Sequence, residues 1–302
     1  MIKNFNEILQ KVQQQSTKKV AVAVAQDKPV LEAIRDAKNN KIADAILVGN
    51  EEEIKSIAKE INMNIEDFEI IHEPDMKKAA LKAAELVSTG KADMLMKGLV
   101  DTANFLRAVL HKEVGLRTGK LMSHVAVFET DKFDRLLILT DVAFNMYPDL
   151  KEKAQMIENA AAVAHSMGNE CPKVAAVCAV EVVNPNMPET IDASLLAKMS
   201  DRGQIKGCIV DGPFAIDNAL SEEAAKHKKV TGPVAGKADI LVLPDIQAGN
   251  IMYKTLTYTT DAKNGCLLVG TSAPVVLTSR NDSHETKMYS IALAALVAEN
   301  MK

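Results

Sequence analysis

The sequence contains no uncharged apolar run approaching about 18 residues, so no segment is expected to span a membrane as a helix. It has no basic tract either. Its 36 lysines and arginines stand against 40 aspartates and glutamates, a net charge of −4. That balance lacks the electrostatic footprint of a partner for nucleic acid or an anionic membrane. The four cysteines, Cys171, Cys178, Cys208 and Cys266, form no close pair such as C-x-x-C, so neither a metal knuckle nor a disulfide is expected. Three of them lie in or beside apolar runs, where cysteine serves as a small buried hydrophobe. Residues 1–15 carry charges and amides without an apolar core, unlike a secretory leader. A reducing cytoplasm is the expectation these features share.

Several catalytic signatures are missing as well. There is no G-x-x-x-x-G-K-[ST], hence no P-loop, and Ala25-Gln26-Asp27-Lys28 stands where a dinucleotide glycine motif would open the first helix. There is no H-E-x-x-H, and the six histidines are scattered, so no dedicated metal site is expected. No G-x-S-x-G elbow marks an α/β-hydrolase. An enzyme with this sequence would work by positioning and electrostatics and would need no cofactor.

What is present is a chain of 302 residues, 47 % apolar and 25 % charged, long enough for two domains of about 100–200 residues each. Apolar runs at 19–24, 45–49 and 68–71 alternate with helical spacing over 29–38, 51–61 and 76–87. That alternation is the pattern of βαβ units and a mostly parallel sheet covered on both faces. A phrase recurs before strands: Lys41-Ile42-Ala43-Asp44, Lys91-Ala92-Asp93 and Lys237-Ala238-Asp239. Each reads as a helix-to-strand junction. The strands that follow the last two end near Lys97 and Pro244, at the carboxyl edge of a sheet, where open α/β proteins bind ligands.

The end of the chain carries the densest signal. Apolar runs at 265–270 and 273–277 lead into Thr278-Ser279-Arg280-Asn281-Asp282-Ser283-His284-Glu285, and then a helix with one buried stripe at Met288, Ile291, Ala292, Ala295 and Leu296. Ser279 and Arg280 thus precede a helix start, which suits an anion, and Asp282 with Glu285 has the spacing of a capping box. A second stretch ends a strand at Lys97-Gly98 and starts a helix near Asp101 or Thr102, with Arg107 further along it. Capping by Asp101 and a solvated Arg107 are the plain readings there; a clamp on an anion is the sharper one. Strands at 124–128 and 136–140, a polar loop 141–149 containing Asn145, and single helices at 150–164, 190–199 and 215–226 follow. The domain change is placed in the polar loop, giving 1–140 plus 267–302 as one domain and 141–266 as the other. A cleft between them would gather Lys97, Arg107, Asp211, Asp245, Asn250, Ser279 and Arg280.

Taken together these stretches resemble the phosphate acetyltransferase and phosphate butyryltransferase family. The likeness rests on Asp101-Thr102 with Leu106-Arg107, on Asp211-Gly212, on the run from Gly232 to Asp239, on Pro244-Asp245-Ile246-Gln247-Ala248-Gly249-Asn250-Ile251-Met252-Tyr253-Lys254, and on Ser279-Arg280. It covers nearly the whole chain. The wording of 279–283 and of 289–294 looks most like the butyryl-transferring branch.

The resemblance implies two α/β/α domains akin to the isocitrate and isopropylmalate dehydrogenase fold. It implies the reaction butanoyl-CoA + phosphate ⇌ butanoyl phosphate + CoA, with acetyl transfer as the near alternative. The implied partners are acyl-CoA or CoA, inorganic phosphate and acyl phosphate, and the protein itself as a homo-oligomer built on a dimer. Ser279, Arg280 and Arg107 match family positions. Lys97, Gly98, Asp101, Thr102, Asn145, Asp211, Asp245, Gln247, Gly249 and Asn250 are the expected substrate contacts. Acetyl-transferring relatives place a catalytic aspartate seven residues after the serine, where this chain has Thr286. The base is therefore sought among Asp282, Glu285 and His284, in that order. The rival readings are a metal- and nicotinamide-dependent dehydrogenase on the same fold, and a non-catalytic sensor of CoA or acyl phosphate.

Overall fold

The computed structural model describes residues 1–279 and 282–301. The first elements are α1 (Phe5–Gln13), β1 (Lys18–Ala23), α2 (Lys28–Asn39), β2 (Ala43–Gly49), α3 (Glu51–Glu60), β3 (Glu69–His72), α4 (Met76–Ser88), β4 (Met94–Lys97) and α5 (Thr102–Val109). Then come β5 (Ser123–Glu129), β6 (Leu137–Thr140), α6 (Leu150–Ser166), β7 (Lys173–Val177), α7 (Pro188–Asp201), β8 (Ile209–Phe214), α8 (Ile216–Leu220), α9 (Glu222–His227), β9 (Ile240–Val242) and α10 (Ile246–Thr259). The chain closes with β10 (Lys263–Val269), β11 (Val275–Val276) and α11 (His284–Asn300). Helix starts follow local chemistry. Asp27, Asn50, Asp75, Asp101 and Asp149 each accept backbone N–H groups from the first turn behind them. The single helix expected over 215–226 is two. Ser221 is extended and caps α9 by accepting the Ala224 N–H at 3.2 Å, which breaks the helix there.

The chain divides into two compact units, Phe5–Lys120 with Asn264–Lys302, and Met1–Asn4 with Leu121–Lys263. The change expected at residue 140 thus lies twenty residues earlier in the structure, at 120/121. The reason is pairing: β5 and β6 form an antiparallel pair, and β6 runs parallel to β9, so both strands stay with the segment that follows them.

In the first unit the strands run in the order β3-β2-β1-β4-β11-β10. All neighbours are parallel except β10 and β11. β1 and β2 are almost wholly buried, which is why their sequences are near-continuous apolar runs. α11 corrects the expectation of one buried stripe: every residue from Tyr289 to Ala298 is buried. A helix apolar on all sides belongs inside a protein, and α11 is packed against α1, α2 and the sheet. The Phe5 ring stacks on Tyr289 with centroids 4.5 Å apart. Burying each leucine or isoleucine of this helix contributes about 1.5–3 kcal/mol.

In the second unit the order is β5-β6-β9-β7-β8, parallel from β6 onward. The recurring Lys-Ala-Asp phrase has the same partner geometry in both units. Asp93 accepts the Lys19 N–H and Asp239 accepts the Lys173 N–H, each at 2.9 Å. Each aspartate also donates its own N–H to the carbonyl of that lysine, at 2.8 Å. The phrase therefore pins the start of one parallel strand to the start of its neighbour, β4 to β1 and β9 to β7. In the first copy Asp44 pairs instead with the Lys38 ammonium. No helix among the described residues is long and apolar enough to cross a membrane.

Candidate active site

The parallel pairing of β4 with β11 sets Met96 beside Val276, so the carboxyl ends of the two strands deliver Lys97-Gly98 and Thr278-Ser279 as neighbours. Gly98 is required there by the chain itself. A Cβ at that position would lie 2.1 Å from the Val24 carbonyl oxygen. Its N–H donates to Ala23 O at 2.9 Å, and that of Leu99 to Val24 O at 2.8 Å. The close approach expected of a ligand is thus made by backbone. Lys97 is half-buried, its ammonium 3.2 Å from Gly98 O.

After β11, Ser279 and Asp282 are tied to each other. The Asp282 carboxylate accepts the Ser279 N–H at 2.7 Å, and the Asp282 N–H donates to Ser279 O at 3.2 Å. Beneath both lies Lys287, 3 % exposed. Its ammonium donates to Asp282 O at 2.6 Å and to Ser279 O at 3.3 Å. Burial pulls the Lys287 pKa below its usual range, against the opposing pull of Asp282 and Asp27. Arg280, the expected phosphate ligand, lies outside the described residues, as does Asn281.

The cap of α11 is Ser283, which accepts the Thr286 N–H at 3.1 Å, rather than an Asp282–Glu285 capping box. The other base candidates turn elsewhere. Glu285 is exposed and accepts the Tyr289 hydroxyl at 2.9 Å. His284 lies 4.0 Å from the Asp36 carboxylate on α2. Asp282 is the candidate whose carboxylate touches Ser279.

α5 carries an exposed polar ladder. Asp101 caps the helix by accepting the Asn104 N–H at 2.9 Å and also accepts the Asn104 side-chain amide at 2.6 Å. The backbone N–H of Asn104 first, then its side chain, hold the Asp101 pKa below its usual value. Arg107 donates to Asn104 Oδ1 at 2.7 Å, and its guanidinium is exposed. Thr102, the first residue of α5, is exposed beside it.

In the other unit the expected contacts gather around a residue that sequence reading did not single out. Asp141 follows β6 and is 1 % exposed. Its carboxylate accepts the N–H groups of His124, Ala143 and Phe144 at 2.8–2.9 Å and the Asn145 amide at 2.7 Å. Asn145 also donates to Met122 O at 2.9 Å, so its amide serves the loop. β9 lies beside β6, and α10 follows it. Asp245 caps α10 by accepting the Ala248 N–H at 2.9 Å. Gly249 packs on this loop, where a Cβ would meet Asp141 O at 2.1 Å. Asn250 is exposed and donates to Val142 O at 3.1 Å, and Gln247 projects from the first turn, also exposed. Asp211 is placed apart from this group, on β8 opposite Ala175 of β7. Burial pushes its carboxyl above the usual range, offset in part by the Gly212 N–H at 2.8 Å.

A cavity of about 330 Å³ opens at the carboxyl ends of β7 and β9, lined by Cys178, Met187, Glu189, Leu243 and Asp245 among others. Burial pushes the Cys178 thiol up to about 11 and the Cys208 thiol up to about 12. Burial thus disfavours the thiolate, the reactive form, at both. Two residues matter here that sequence reading missed. Lys287 had a legible signal, as the one charge between Glu285 and Glu299 in an otherwise apolar helix. Asp141 had only a local one: three of its donors lie within four residues, while the His124 N–H reaches it from β5, the antiparallel partner of β6.

Comparison with known proteins agrees with this layout. The pattern of the phosphate acetyl/butaryl transferase family matches residues 4–80 and 71–295. A phosphate butyryltransferase of Clostridium acetobutylicum is 74 % identical over 300 residues, covering 99 % of this chain and all of the relative. One of Clostridium beijerinckii is 67 % identical over 302 residues and covers both chains fully. Among solved structures, a branched-chain phosphotransacylase from Enterococcus faecalis V583 is 34 % identical, with a TM-score of 0.83, over 93 % of this chain and 99 % of that one. On sequence and fold alike, the chain belongs to the phosphate acetyl/butaryl transferase family, whose members are acyltransferases.

Proposed function

We propose that the protein is a phosphate butyryltransferase, interconverting butanoyl-CoA and phosphate with butanoyl phosphate and CoA. The reading is carried by the Ser279–Asp282 pair at a parallel-sheet edge, in a chain that matches two phosphate butyryltransferases over its full length.

The chemistry follows from the residues. A free thiol has a pKa of about 8.5, so CoA needs a base to become a nucleophile. Asp282 takes the thiol proton, because its carboxylate is the one already fixed against Ser279. The thiolate attacks the carbonyl carbon of butanoyl phosphate, the C–S bond forms, the C–O bond to phosphate breaks, and phosphate leaves with the bonding pair. Charge grows on the carbonyl oxygen and on the departing phosphate. Arg280 and Arg107 meet that charge, and Ser279 hydrogen-bonds the thiol or the oxyanion. Lys97, Asp101, Thr102, Asp245, Gln247 and Asn250 complete the substrate contacts. Transfer is direct, in a ternary complex of enzyme, acyl donor and acceptor. CoA is a substrate, and no metal or other cofactor takes part. The protein works in the cytoplasm. It works there as a homo-oligomer built on a dimer, and the oligomer is supported by exposed Val182 and Val183 and by Ile191 and Leu195 one turn apart on α7.

The test is release of CoA thiol from acyl-CoA and phosphate, with acyl chains from acetyl to hexanoyl, in chelated buffer without nicotinamide. Fastest release from butanoyl-CoA is expected. Fastest release from acetyl-CoA would make the protein a phosphate acetyltransferase, and no release from any acyl-CoA would overturn the transferase reading.

A further inference from the structure

Lys287 is a buried charge to which the transfer chemistry above gives no task. It carries two electrostatic penalties. An ammonium taken out of water costs several kcal/mol unless its surroundings compensate it. It also sits one turn into α11, near the positive end of the helix dipole, where a cation is disfavoured. A methionine of similar length would fill the same space without either penalty. Something must make the ammonium useful there, and its bonds say what. They go to Asp282 O and Ser279 O. The Asp282 carboxylate and N–H bind the N–H and O of that same Ser279. Asp282 aligns Ser279, and Lys287 holds both from below.

We propose that Lys287 is a positioning residue for acyl transfer: it fixes Ser279 and Asp282 through their carbonyls, so that serine and carboxylate keep the geometry the transition state needs. This rests on the transferase reading above. Misplacement of reacting groups by about 1 Å can cost about a hundredfold in rate. Removing the ammonium should therefore slow turnover far more than it weakens binding or loosens the fold.

The experiment measures kcat, KM for CoA and for butanoyl phosphate, and Tm of Lys287→Met beside wild type. Wild-type turnover is established first, because its absence would count against the transferase reading and not against Lys287. We expect kcat to fall roughly ten- to a hundredfold, both KM values to stay within about threefold, and Tm to move by only a few degrees. The near-constant Tm follows because loss of the buried charge offsets loss of its hydrogen bonds. A folded methionine variant with wild-type kcat, or with activity reduced only in proportion to its folded fraction, overturns the proposal. Should that variant not fold, Lys287→Gln keeps an amide donor for one carbonyl and is read the same way: reduced kcat with steady KM supports positioning, and wild-type kcat refutes it.

Discussion

Two aspartates at the ends of parallel strands hold loops in this protein, and they do it differently. Asp141, after β6, is surrounded by donors: three backbone N–H groups and the Asn145 amide. Asp282, after β11, accepts the Ser279 N–H among the described residues and has a lysine below its backbone. The donors on both oxygens of Asp141 commit its lone pairs to the loop. The Asp282 carboxylate is bonded instead to Ser279, the residue proposed to meet the thiol. The comparison assigns Asp141 to architecture and Asp282 to chemistry, although both are at least nine-tenths buried.

The strongest test of that division exchanges each aspartate for asparagine. Asp282→Asn should lower kcat by roughly 10²–10⁴, the usual weight of a general base, and should remove the acidic limb of the pH–rate profile. Its Tm should change little, since the asparagine carbonyl oxygen can still accept the Ser279 N–H. Asp141→Asn should do the reverse. Its NH₂ group must face backbone donors, at a cost of at least about 2 kcal/mol, read as a Tm lowered by roughly 5 °C or more, while kcat per folded molecule stays within about threefold of wild type. A normal kcat in Asp282→Asn with lowered melting would leave that residue structural and erase the contrast.

Arg280→Ala comes next in size. Loss of one charged donor to a developing oxyanion costs about 10²–10³ in rate, so kcat should drop at least a hundredfold with circular dichroism unchanged. Near-normal turnover would remove Arg280 from the mechanism and leave Ser279 and Asp282 to account for it. Arg107→Ala should be milder. Its guanidinium is exposed and already bonded to Asn104, so release from that ladder is part of any binding step. We expect KM for CoA or phosphate to rise by about tenfold, the scale of roughly 1.4 kcal/mol, with kcat changed less. Unchanged KM and kcat would return Arg107 to the role of a solvated helix charge.

The smallest effect concerns stability against pH. Burial holds the folded Lys287 pKa below its usual 10.5. Between the folded value and 10.5 the unfolded chain therefore binds more protons than the native one, so this group makes stability rise with pH across that window. The charges facing it, Asp27 at the start of α2 and Asp282, oppose the shift without reversing it. The Tm of wild type minus that of Lys287→Met should accordingly grow more positive from neutral pH to about 10. A flat difference would mean that the ammonium pays no desolvation penalty, which would weaken the contrast between the two loops.

The amino-acid sequence by itself determined the βαβ grammar, because a strand buried on both faces has to be written as an apolar run and most of the helices start at an Asp, Asn or Ser cap. Asp101 was legible as a cap and Gly98 as a close backbone approach, although the Val24 carbonyl that Gly98 meets lies far off in sequence; Asp245 and Gly249 were legible through the family resemblance. The Lys-Ala-Asp phrase was legible as a junction, yet only the folded chain shows that its aspartate reaches the first residues of a neighbouring strand. The tertiary structure alone decided which partners lie far apart in sequence. It placed β5 and β6 with the segment after them, buried α11 on all sides, and divided the helix at Ser221. It turned Glu285 to Tyr289 and His284 to Asp36, and so left Asp282 facing Ser279. Periodicity reports which side chains avoid water, but it carries no information about which backbone carbonyl a buried ammonium will find. That depends on strand order, and strand order here brings β11 back beside β4 across some 180 residues of intervening chain.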